Sequence, residues 1–217
     1  MSNTRTYSLA DLFELVAEAV PDREAVVCGN RRLTYAQLNE RADRLAAYLQ
    51  SKGVGPGDTV GLQLYNGTEY LEAYFAACKL RAIPLNINYR YVAHELRYIY
   101  DNAKLSVLAY SAPLAGEVEP LLRDYPAIKV VLVPGEEYET NLAAAGRDYA
   151  VPQRSGDDIS LLYTGGTTGM PKGVMWPHQA LFFSALGGGS FYRQEGPIKT
   201  PEEIAEVASK GYPLRYL

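Results

Sequence analysis

Apolar positions set the first signal. From Ser8 onward Leu9, Leu12, Phe13, Val16 and Val20 recur at helical spacing, so one face is apolar until Pro21 and Asp22 stop it. Asp11, three residues after Ser8, resembles a capping-box partner. Ala25 to Cys28 reads as a short strand, Gly29 and Asn30 as its turn, and Arg32 to Thr34 as the returning strand of a hairpin. Thr34 with Gln37 forms a capping box that opens a helix whose buried stripe is Leu38, Ala42, Leu45, Ala46 and Leu49. Gly53 follows as the glycine that ends it.

The same alternation continues. After the turn at Gly55 to Asp58, residues 59–65 alternate and predict a strand; residues 68–81 predict a helix with Leu71, Tyr74, Phe75 and Cys78 on its apolar face. Extended segments are expected at 83–87, 105–110 and 128–133, and helices at 92–102, 114–124 and 137–145. A polar bridge, Pro152 to Asp158, leads to an apolar run at 159–163 that reads as a buried strand. Beyond a glycine-rich segment, Val174 to Trp176 reads as a strand and His178 or Gln179 to Leu186 as a helix. Gly187 to Ser190 reads as flexible. Thr200, Pro201 and Glu203 mark a further helix start, Gly211 its end, and Pro213 to Leu217 another strand. Helices alternating with apolar strands predict an α/β fold with a mostly parallel sheet flanked by helices on both faces. A chain that closes on a strand reads as truncated.

Thr164 to Gly173 (T-G-G-T-T-G-M-P-K-G) places four glycines, three threonines, one proline and one lysine in ten residues. Glycines let backbone N–H groups converge on a ligand, hydroxyls add donors, and Lys172 adds a positive charge, a combination suited to nucleotide phosphates. A Walker loop has lysine directly after glycine and a hydroxyl after the lysine, then a helix; here Met170 and Pro171 intervene, Gly173 follows, and the next segment reads as strand. The dinucleotide fingerprint G-x-G-x-x-G is absent too.

Bulk properties narrow the partners. The 217 residues fit one large or two small domains. A net charge of −4 without basic runs argues against a nucleic-acid surface. No apolar run approaches the roughly 20 residues of a membrane span and no signal region follows Met1, so the expectation is a soluble, cytoplasmic protein without a transmembrane segment. Cys28 and Cys78, both in apolar segments, read as reduced core cysteines.

Tyr163 to Gly173 closely resembles the phosphate loop of the adenylate-forming superfamily, which includes acyl-CoA synthetases, firefly luciferase and peptide-synthetase adenylation domains. Pro84 to Arg90 with Glu95, Leu96 and Asp101, and Leu33 to Tyr35 with Leu38, resemble further family segments, so the likeness covers essentially the whole chain. Arg90 to Val92, Glu95 to Tyr98 and Gly173 to Trp176 look most like bacterial long-chain acyl-CoA synthetases and the actinobacterial branch acting on steroid side-chain carboxylates. Gly165 departs from the serine common in the family, which removes a hydroxyl but keeps the backbone donor.

The resemblance implies an AMP-forming acyl-CoA ligase using ATP, Mg²⁺ and coenzyme A on a fatty or steroid side-chain acid. Thr164, Gly165, Gly166, Thr167, Thr168 and Gly169 would hold the phosphates, with Lys172 as the catalytic charge. Residues 1–217 would be the N-terminal portion of the large domain, with its remainder and the C-terminal domain absent, hence an inactive fragment able to dimerise through an exposed apolar edge. His178 reads as a packing or backbone contact, His94 as structural or surface, and Asn86 and Arg90 as groups holding the fold. Trp176, Phe182 and Phe183 either border an acyl pocket or pack in the core. The competing readings are a non-catalytic nucleotide-binding module and an adenylating enzyme that loads a carrier-protein thiol.

Overall fold

A computed structural model describes residues 4–164, 170–189 and 196–211. The chain opens with α1 (Leu9–Ala19), the hairpin β1 (Glu24–Cys28) and β2 (Arg31–Thr34), and α2 (Tyr35–Ser51). The α2 capping box forms: Thr34 Oγ1 accepts from the Gln37 N–H at 3.2 Å, and Gln37 Oε1 accepts from the Thr34 N–H at 2.9 Å. Gly53, at φ 79°, turns the chain out of that helix in a conformation that costs glycine little. The pairs β3 (Thr59–Gln63) with α3 (Thr68–Lys79), β4 (Ile83–Asn86) with α4 (Ala93–Ala103), β5 (Leu105–Tyr110) with α5 (Ala115–Leu122), and β6 (Val130–Leu132) with α6 (Glu136–Ala144) follow. Then come β7 (Ile159–Thr164), β8 (Lys172–Pro177), α7 (His178–Ala185) and α8 (Glu203–Lys210).

Six strands form one sheet in the order β6-β5-β3-β4-β7-β8, while β1 and β2 form a separate two-stranded sheet. All pairings in the large sheet are parallel except β7 with β8. Helices cover both faces. Val107 and Ala109 of β5 join Leu45, Leu49, Leu62 and Ala77 on one side, and Leu108 and Tyr110 join Leu96, Ile99 and Val118 on the other. Each fully buried leucine in these layers contributes roughly 1.5–3 kcal/mol.

Several expectations need correction. Residues 59–65 read as alternating, yet all five of β3 are buried, because a parallel strand between two helical layers has no solvent face. The apolar face expected on α3 was Leu71, Tyr74, Phe75 and Cys78; the buried set is instead Ala73, Ala76, Ala77 and Cys78 with Thr68, Glu72 and Lys79. Small side chains bring that helix close to its neighbours, and its two buried charges are ion-paired. Asp11 does not cap α1: its carboxylate accepts from Thr6 N and Oγ1 and from Arg154. Cys28 is exposed, because its hairpin lies outside the main sheet, while Cys78 is buried. Helix α8 begins at Glu203, with Thr200 in a turn before it.

Gly188 and Gly189 serve close packing, whereas Gly187, with open space around it, turns the chain at φ 87°. A Cβ on Gly188 would lie 2.3 Å from a Phe182 ring carbon, and one on Gly189 would lie 2.4 Å from the Phe183 carbonyl oxygen. Ser190 and the strand expected at 213–217 lie outside the described residues.

Candidate nucleotide-phosphate site

β7 and β8 are the two arms of an antiparallel hairpin. Six residue pairs run from Ile159↔Pro177 at its base to Thr164↔Lys172 at its tip. Partners in such a ladder stand roughly 5 Å apart, so Thr164 and Lys172 flank the loop that joins the strands. Both are exposed. Gly165, Gly166, Thr167, Thr168 and Gly169 lie outside the described residues.

Because β3, β4, β5, β6 and β7 are parallel, the tip of the hairpin lies at the carboxyl edge of the sheet. That is the edge where open α/β sheets bind ligands. The strand order reverses between β3 and β5, and two hydrogen bonds lie near that point. Tyr100 Oη donates to Gln63 Oε1 at 3.0 Å, and Ser111 Oγ accepts from the Tyr65 N–H at 2.9 Å. Thr164, the last residue of β7, stands two strands away from β3.

Neighbouring contacts fix the hairpin from both faces. Tyr163 Oη donates to Asn102 Oδ1 at 2.6 Å on the α4 side. Tyr74 Oη and Ser160 Oγ are 2.7 Å apart on the α3 side. Gly173 lies within β8 and not in the loop proper. A Cβ there would stand 3.2 Å from Leu161 and from the Tyr163 ring, so glycine lets that ring lie across the strand.

The base of the hairpin is buried and polar. His178, the first residue of α7, is fully buried; its N–H donates to the Asp158 carbonyl at 2.7 Å, and its Nδ1 accepts from the Leu9 N–H at 3.3 Å. Burial pushes the imidazole down to about 4, and the nearby Asp158 charge only partly offsets this, so the ring is neutral. Beside it, Arg154 Nη1 lies 2.9 Å from Asp11 and 3.0 Å from Glu14, and Lys79 Nζ lies 2.5 Å from Glu14 and 2.7 Å from Asp43. Burial alone pushes the Glu14 carboxyl up, but Lys79 and Arg154 outweigh it and hold it down at about 2. These charges tie the segment entering β7 to α1, α2 and α3. None of Asp11, Glu14, Lys79 or Arg154 stands out as a site residue in the sequence, since their partners are remote; the one local sign is the polar composition of the bridge at 152–158.

The other sequence candidates separate. His94 is exposed. Asn86 and Arg90, expected to hold the fold, are exposed at the carboxyl edge, with the Arg90 guanidinium 5.6 Å from the Tyr89 ring centre. Phe182 and Phe183 pack with Tyr7, so they belong to the core. A groove of about 250 Å³ lined by Val26, Val27, Cys28, Asn66, Gly67, Tyr70 and Leu71 lies beside the first hairpin and includes neither Thr164 nor Lys172. Among the described residues no group of three His, Cys, Asp or Glu side chains is placed to hold a metal ion. No helix among them is long and apolar enough to cross a membrane.

The α/β architecture agrees with what comparison finds. Residues 13–202 match the family model described as AMP-binding enzyme, and the chain belongs to that family. It is 42% identical, over 95% of its length, to a medium/long-chain-fatty-acid–CoA/3-oxocholest-4-en-26-oate–CoA ligase of Mycobacterium marinum, of which it covers 40%. It is 45% identical, over 94% of its length, to a 3-oxocholest-4-en-26-oate–CoA ligase of Rhodococcus rhodochrous, of which it covers 39%. Among solved structures, the N-terminal domain of FACL13 from Mycobacterium tuberculosis superposes with a TM-score of 0.76 at 29% identity, over 82% of this chain and 46% of that one. The chain thus spans about two fifths of the length of the curated relatives it matches.

Proposed function

We propose that this chain is the N-terminal portion of the large domain of an AMP-forming acyl-CoA ligase, and that residues 163–173 are its phosphate loop. The observation that carries the reading is the placement of Thr164 and Lys172 as cross-strand partners at the carboxyl edge of a parallel sheet, on either side of the glycine-threonine segment. The similarity to fatty-acyl and steroid-acyl CoA ligases supports the reaction class.

In the proposed reaction a carboxylate oxygen attacks the α-phosphorus of ATP. The bond to the bridging oxygen breaks, and pyrophosphate leaves with the electron pair. The coenzyme A thiol then attacks the acyl carbon and releases AMP. The work assigned to this chain is electrostatic: Lys172 meets the charge that grows on the departing pyrophosphate as a point charge, and Thr164, Thr167 and Thr168 offer hydroxyls. The backbone at Gly165, Gly166 and Gly169 supplies N–H donors unobstructed by side chains. Mg²⁺ would accompany ATP as the counter-ion of its phosphates. The substrates proposed are medium- to long-chain fatty acids and steroid side-chain acids, in a cytoplasmic enzyme. On this reading the 217 residues alone do not complete either half-reaction.

The test is carboxylate-dependent exchange of labelled pyrophosphate into ATP, run on protein expressed from the complete reading frame with a panel of fatty, steroid and amino acids. Exchange stimulated by fatty or steroid acids supports the ligase. Exchange with amino acids alone favours an enzyme that loads a carrier, and no exchange favours a binding module.

A further inference from the structure

Arg81 is one of two residues other than glycine that hold a positive φ among the described residues, at 56°. A side chain in the left-handed region is strained by contact between its Cβ and the following carbonyl, and glycine would be at ease there. Arg81 follows α3 after one residue, Leu80, and its N–H donates to the Cys78 carbonyl at 3.1 Å as the helix closes. The strain is offset by what the guanidinium reaches. Arg81 Nε lies 2.8 Å from Asp158 Oδ1 across 77 residues of sequence.

Asp158 is the residue immediately before β7, and every polar group it has is engaged. Oδ2 accepts from the Ser155 N–H at 3.0 Å, and its own N–H donates to the Ser155 carbonyl at 3.1 Å. Its carbonyl accepts the 2.7 Å bond from His178, the residue immediately after β8. Gln179 N–H adds a bond to the Gly156 carbonyl at 2.8 Å. His178 in turn places Nε2 3.9 Å from Cys78 Sγ, on the same end of α3 from which Arg81 departs. The links close a ring: end of α3, Arg81, Asp158, His178, end of α3. Both arms of the hairpin pass through it.

We propose that Arg81 is a positioning residue for the phosphate loop: through Asp158 and His178 it clamps the base of the β7–β8 hairpin and so fixes where the tip, Thr164 and Lys172, stands. An antiparallel ladder transmits register over its whole length, since slipping one residue turns every side chain to the other face. Here five pairs lie between the clamp and the tip pair Thr164↔Lys172. A neighbouring helical layer is thereby made to hold the loop through the strands. The inference rests on the phosphate-loop reading for its catalytic consequence, not for its structural one.

Arg81→Gly separates positioning from general stability, because glycine suits the backbone angle while the clamp is lost. Two measurements decide. Amide hydrogen exchange on the 217-residue chain is expected to show protection of 159–164 and 172–177 lowered about tenfold, with β3 and β5 unchanged. On protein from the complete reading frame, the KM for ATP in pyrophosphate exchange is expected to rise about tenfold while that for the carboxylate stays put. Unchanged protection in both strands, or an unchanged KM for ATP in an enzyme that does exchange, overturns the proposal. Wild-type protein that exchanges no pyrophosphate defeats the adenylation reading instead, and the amide measurement still decides the clamp.

Discussion

Nδ1 of His178 accepts a hydrogen bond from the N–H of Leu9, joining the first residue of α7 to the first residue of α1 across 169 positions of sequence. The first N–H groups of a helix lack partners within it, and Ser8 makes no side-chain cap to α1. His178 supplies the missing acceptor from another element. It can do so only while neutral.

A pH dependence follows. The imidazole titrates near 6.5 in the unfolded chain and at about 4 in the folded one. Between these values the unfolded state binds the extra proton, so stability is full above pH 6.5 and falls as pH drops toward 4. The loss by about pH 5 is roughly 2 kcal/mol. Urea denaturation at about pH 7.5 and about pH 5 should show it for wild type. His178→Asn keeps an acceptor but cannot titrate, and should lose at least 1 kcal/mol less over that interval. Equal losses in the two proteins would exclude His178 as the source.

Glu14 governs a lower window. Its carboxyl is held at about 2, so the stability it contributes is present above pH 4.5 and lost as pH falls toward 2. Substituting Glu14 by Gln leaves the fully buried Lys79 with Asp43 as its remaining anion. Because Lys79 keeps Asp43 and Arg154 keeps Asp11, the cost is expected at the low end of that for breaking a buried pair, about 3 kcal/mol. Chemical denaturation of Glu14→Gln at neutral pH measures it; a change below about 1 kcal/mol would show that the cluster rearranges freely.

Two glycines differ in what surrounds them. A Cβ on Gly61 would lie 2.7 Å from the Ile87 and Leu105 methyl groups, whereas one on Gly189 would meet the Phe183 carbonyl at 2.4 Å. Side chains yield more easily than backbone, so Gly189→Ala should cost more than Gly61→Ala, which itself should cost about 1–3 kcal/mol. Thermal denaturation of both variants tests the order.

The edge of the sheet has its own consequence. β8 is the last strand, Met175 on it is 71% exposed, and Leu162 beside it is 43% exposed. An apolar edge of this kind pairs with other chains. The 217-residue chain is therefore expected to self-associate at concentrations of about 100 µM, and Met175→Lys to return it toward monomer. Light scattering after size exclusion reads both. A monomeric wild type would show that the edge is already protected.

The sequence announces what is local. Thr34 with Gln37 and the strand at 105–110 each carry their signal within a few residues, and the structure places them as read; the apolar run before Thr164 also forms a strand, but not the buried one expected, since β7 lies next to the sheet edge and only Ser160 on it is buried. The glycine-threonine-lysine set stands out in the sequence for the same reason. What escaped depends on partners far along the chain. Arg154 meets Asp11 across 143 residues, and Lys79 meets Glu14 across 65, so no local pattern marks them as buried. Cys28 was misplaced because an apolar strand reads alike whether it joins the main sheet or a small hairpin outside it. Arg81 is hidden for a different reason: nothing in its neighbours declares a left-handed backbone that a glycine would ordinarily fill.

The central claim concerns Lys172, which is exposed at the start of an edge strand, so its loss should leave the fold intact. In protein expressed from the complete reading frame, Lys172→Ala is expected to slow carboxylate-dependent ATP–pyrophosphate exchange by about 10²–10³, with an unfolding temperature within about 2 °C of wild type. An exchange rate equal to wild type would contradict the assignment of this loop to pyrophosphate.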